Sequence, residues 1–80
     1  MNIKEYDIVR KYNIAIAEWQ TAIHDVRHGN RDSFIAVVKE GGGDHYYAKD
    51  CTDNEAITQI RMAIEEIQYF KKDEMEKLEA

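Results

Sequence analysis

The sequence has a single cysteine, no proline and no long hydrophobic run. The lone Cys51 forms no internal bridge, which excludes a disulfide framework and points to a reducing compartment, so a cytoplasmic location is expected. No apolar stretch approaches the roughly 18 residues of a membrane span, and Asn2-Ile3-Lys4-Glu5 does not open a signal peptide. The 80 residues leave room for one domain, residues 1–80, and not for two. A chain of this size buries only roughly 60–65% of the surface it exposes when unfolded, so its core is marginal without a staple or a partner subunit.

A basic excess is also missing. Eleven Lys and Arg stand against sixteen Asp and Glu, a net charge of −5. Residues 1–30 are balanced, whereas residues 52–80 carry four bases against eight acids, so the acidity belongs to the last third. A duplex-binding domain needs a net basic face to displace counterions, which argues against direct nucleic-acid binding.

Helical periodicity is strong at both ends. Val9, Tyr12, Ile16, Trp19, Ile23 and Val26 alternate at spacings of three and four, and Ile8, Ala15 and Ala22 widen the seam into a core-facing stripe. A helix over 3–28 is predicted, closed by Gly29 as a left-handed cap. Thr52-Asp53-Asn54-Glu55 fits a capping box that opens a second helix over 53–77, with Ile57, Ile60, Ile64 and Ile67 as its seam.

Between the helices, Ser33 to Val38 is rich in β-branched and aromatic residues, and Gly41-Gly42-Gly43 separates it from Asp44 to Lys49. This pattern predicts a β-hairpin over 33–50 with the three glycines as its turn. Phe34, Ala36, Val38, Tyr46 and Ala48 would form the inner face; Ile35, Val37, Lys39, His45, Tyr47 and Lys49 the outer. The predicted fold class is therefore α+β, with both helices antiparallel on one face of the hairpin. Helices of about 26 residues, roughly 39 Å, overrun a strand of roughly 23 Å. Val9, Tyr12, Phe70, Met75 and Leu78 at the far ends then lack cover. Self-association, through a four-stranded sheet or a four-helix layer, would supply it, so a homo-oligomer, most simply a homodimer, is expected.

Chemical motifs are sparse. His24 and His28 share a metal-compatible spacing, with His45 and Cys51 as conceivable completions, but a last helical turn favours histidine through its dipole alone. Asp44-His45 with Asn54 has only the outline of a one-metal nuclease site, without the second histidine. Cys51 lies beside acids, the wrong setting for a reactive thiol. The glycine run is flanked by Glu40 and Asp44, which repel phosphate. No enzyme activity, metal or cofactor is expected.

Two surfaces stand out as candidate binding sites. Lys39, His45, Tyr47 and Lys49, with Arg31 at the hairpin base, suit a protein partner or a small anionic ligand such as a nucleotide, sequestered at a subunit interface. Glu65, Glu66, Asp73, Glu74 and Glu76 on the second helix suit a basic protein surface. In size, acidity and want of cofactor motifs the chain resembles small accessory proteins with which phages and mobile elements bind and block host factors. That resemblance implies a non-enzymatic, homo-oligomeric inhibitor of a host protein. Sequestration of an anionic ligand is the alternative, and a small hydrolase or nuclease comes last.

Overall fold

The computed structural model describes residues 2–79 and holds four helices among them: α1 (Ile3–Arg27), α2 (Asp32–Glu40), α3 (His45–Asp50) and α4 (Asp53–Glu79). The described residues contain no strand. The fold is all-α, which corrects the α+β expectation: the 33–50 hairpin, its two faces and the four-stranded sheet built from it do not exist.

The reason lies in the burial pattern. In a strand, Phe34 and Val37 would point to opposite faces; in the structure both are buried, three residues apart on one face of α2, while Ala36 is exposed. A short, wholly apolar run satisfies either period, and packing against α1 selects the helical one. The glycines do not turn a hairpin either. The N–H groups of Gly41, Gly42 and Gly43 donate to the carbonyls of Val37, Lys39 and Val38, at 3.2, 3.0 and 2.9 Å, closing the end of α2. Gly42 takes a left-handed φ of +76° that a side chain disfavours. Asp44 then caps α3, its Oδ1 accepting from the N–H of Tyr46 and Tyr47 at 2.9 and 3.3 Å.

The long helices are delimited by the same local chemistry. Asn2 Oδ1 accepts from the Glu5 N–H at 2.8 Å to open α1. Gly29, at φ +81°, turns the chain out of it. At α4 the capping box is reciprocal: the Glu55 N–H donates to Thr52 Oγ1 at 3.1 Å, and the Thr52 N–H donates to Glu55 Oε1 at 3.2 Å.

α1 and α4 run antiparallel and form the principal interface, α2 lies across α1, and α3 packs on α2. The far end is fixed by Lys71, whose Nζ donates to Asn13 Oδ1 at 3.1 Å, and by Lys11, whose Nζ lies 3.8 Å from Glu74. The buried core consists of Ala22, Val26, Phe34, Val37, Ala48, Ala56 and Ile60. It sits wholly at the end of the rod where the short helices are. Small residues at Ala22, Ala48 and Ala56 let the helices approach closely around the Phe34 ring, whose burial contributes about 2–3 kcal/mol.

Candidate binding groove

Where α2 ends and α3 begins, the chain lifts away from α4 and leaves a groove of about 410 Å³. Its apolar lining is Trp19 from α1, Phe34 and Val38 from α2, Tyr47 from α3, and Met62 and Ala63 from α4. Trp19 and Phe34 meet edge to face at 6.4 Å and form the floor. Met62 stands 56% exposed at the edge. Gly43 keeps the mouth open: a β-carbon there would lie 3.0 Å from Val38 Cγ1 and press that wall inward.

The polar lining is Asp44, Gln59 and Glu66, with no cation among them. Tyr47 has its hydroxyl pKa raised, first by desolvation and then by the Glu55 charge, so it stays neutral as a donor. An apolar hollow edged by two carboxylates favours an apolar group carried beside a positive charge and disfavours an anion.

Arg31 does not face this groove. Its Nη1 donates to the Ala48 carbonyl at 3.0 Å and to Cys51 Sγ at 3.4 Å. Its Nη2 donates to the Cys51 carbonyl at 2.8 Å and to Asp53 Oδ1 at 2.6 Å. The guanidinium thus ties the end of α3 to the start of α4, and the Asp53 hydrogen bond raises its pKa further. The other residues of that candidate set are scattered. Lys39 and Lys49 are exposed near the ends of α2 and α3, without an ion-pair partner among the described residues. His45 is half-buried and stacks on exposed Tyr46 at 4.2 Å. Of this set, only Tyr47 lines the groove.

The acidic residues of α4 divide into two groups. Glu65, Glu66 and Glu76 are exposed, and Asp73 pairs with Lys77 at 3.0 Å on the same helix. Glu74 instead turns to α1, where it meets Lys11, and its hydrogen bond adds to desolvation in raising the Tyr12 pKa. Sequence reasoning misses Met62 and Tyr69. They lie seven residues apart, on the stripe that Glu65, Glu66, Asp73 and Glu76 share by helical spacing, and both are exposed. Two large apolar residues off the isoleucine seam were the available signal. His24 and His28 stack at 4.4 Å, and among the described residues no group of three His, Cys, Asp or Glu side chains is placed to hold a metal ion.

No family model, curated protein or solved structure matches the chain.

Proposed function

We propose that this is a non-enzymatic binding protein that meets a basic protein surface with the outer face of α4 and seats an apolar side chain of that partner in the groove, blocking the surface it covers. The observation that carries this reading is Met62, an exposed part of the groove lining with the carboxylates Glu65 and Glu66 one helical turn away. An exposed apolar anchor with carboxylates one helical turn away suits a protein-docking face, where the charge steers the encounter and the anchor slows release. The anionic-ligand reading has less support, since Arg31 is engaged inside the fold and carboxylates edge the groove.

The sole tryptophan, Trp19, lies in the groove and reports occupancy directly. Captured partner should release as salt is raised, shift Trp19 emission on binding, and bind at least tenfold more weakly to Met62→Asp or Glu66→Lys. Binding that ignores salt and both substitutions, or that leaves Trp19 emission unchanged, refutes the proposal.

A further inference from the structure

The groove combines aromatic walls with acidic charge. Trp19 of α1, half-buried, and Tyr47 of α3, exposed, supply its open rings. Phe34, buried, packs edge to face on Trp19 at 6.4 Å and fixes that ring rather than presenting its own. Asp44 and Glu66 are exposed carboxylates of the same lining, which includes no Lys, Arg or His. Asp44 is held in place by its cap, Oδ1 accepting from the N–H groups of Tyr46 and Tyr47 at 2.9 and 3.3 Å. After desolvation, the Glu55 charge is the next cause of the raised Tyr47 pKa, so a third carboxylate acts on the same ring.

Aromatic faces and carboxylates together attract a cation, the rings through their quadrupoles and the carboxylates through their charge. Hydrogen-bond donors decide which cation fits. A guanidinium brings five N–H donors and a primary ammonium three. The lining has few acceptors for them: Asp44 Oδ1 is already engaged, and Gln59 and Glu66 are the other polar side chains. A donor left unpaired against apolar walls is costly. A trimethylated ammonium keeps the positive charge and has no donor, so it escapes that cost. The aliphatic stem of a lysine needs apolar cover, and Val38, Met62 and Ala63 offer it beside the rings. At about 410 Å³ the groove is large enough for headgroup and stem together.

We propose that the groove takes an N-trimethylated lysine side chain of the partner protein, its headgroup against Trp19 and Tyr47 and its charge met by Asp44 and Glu66. This deepens the function proposed above and rests on it for the groove as the seat of a partner side chain.

Three capped Ala-X-Ala peptides test it on the intact protein. X is trimethyl-lysine, lysine, or the neutral isostere in which carbon replaces the quaternary nitrogen. Trp19 emission follows each titration into the millimolar range, and circular dichroism checks that every variant is folded. The trimethyl-lysine peptide should bind at least about tenfold more tightly than either of the others. Tyr47→Leu, which removes a ring and keeps an apolar side chain, should erase the preference over the neutral isostere. Glu66→Gln should weaken the trimethyl-lysine peptide and leave the neutral one unchanged. Equal binding of lysine overturns the inference. Equal binding of the neutral isostere also overturns it, and leaves the groove as a purely apolar seat in keeping with the function proposed above. Choline, which has the headgroup without the stem, overturns the assignment to lysine if it binds as tightly as the peptide. Trp19 emission that responds to none of the three peptides overturns the inference as well, while salt-sensitive capture of the partner by α4 still decides the function proposed above on its own.

Discussion

Replacing Arg31 with Met keeps the aliphatic stem and removes the guanidinium, which makes it a direct test of whether this residue holds the fold or serves a ligand. The side chain is 19% exposed and gives two charge-assisted hydrogen bonds to main-chain carbonyls, those of Ala48 and Cys51. Such bonds are worth about 1.5–3 kcal/mol each. Ala48 is fully buried, so its carbonyl loses a partner in a place water does not readily reach. The Asp53 pair adds little, about 0–1 kcal/mol, because that carboxylate is 67% exposed. The expected loss is about 3–5 kcal/mol, a large share of the roughly 4–12 kcal/mol total for a domain of this length. Thermal melting by circular dichroism should fall by at least about 12 °C at matched protein concentration. Arg31→Lys, which reaches one carbonyl, should lose about half as much. A fall below about 4 °C for Arg31→Met would refute the structural role, and loss of nucleotide binding with melting unchanged would return Arg31 to the anion-site reading.

Further outcomes concern the caps and the groove. Gly29→Ala places a β-carbon at φ +81° and should cost about 1–2 kcal/mol by urea unfolding, although nothing lies within 4 Å of it; an unchanged midpoint would show that the turn relaxes. The Glu55 carboxyl is held below the usual range by hydrogen bonding from Thr52, side chain first and backbone N–H second. Its contribution is therefore complete above the unfolded value of about 4.3 and is lost as pH falls through the depressed folded value. Amide exchange at the start of α4 should accelerate over that acid range in the parent, more weakly in Thr52→Ala, which keeps the backbone donor to Glu55, and not at all in Glu55→Ala. Phe34→Ala should cost about 3–5 kcal/mol and Trp19→Ala less, since Phe34 is 1% exposed and Trp19 only half-buried. Equal losses would place Trp19 inside the core rather than on the groove floor.

The long helices were readable because each carries its own instructions: a three-four seam of apolar residues, a left-handed glycine at Gly29, and a reciprocal cap between Thr52 and Glu55. Those signals act within a turn or two of chain. Residues 33–50 hold only ambiguous local signals, since the glycines that close α2 and the Asp44 that caps α3 are also the residue types of a hairpin turn. Phe34, Ile35, Val37 and Val38 are apolar on every side, so alternation and helical spacing fit them alike, and β-branching favours strands. The candidate site was legible only in part. Tyr47 and the exposed carboxylates of α4 belong to the surfaces described, whereas Arg31 looked free because its acceptors, the carbonyls of Ala48 and Cys51, belong to the backbone and leave no mark in a sequence.

Taken alone, the sequence determined two capped amphipathic helices at the chain's ends, an acidic last third and the absence of a disulfide framework, because capping, periodicity and charge are properties of neighbouring residues. Tertiary structure decided that the middle is helical, that Arg31 is a tie, and that a groove opens beside Met62. These depend on which surfaces meet: the Phe34 ring enters the space between α1 and α4 only when Val37 turns inward beside it, and that choice is made by packing between residues distant along the chain.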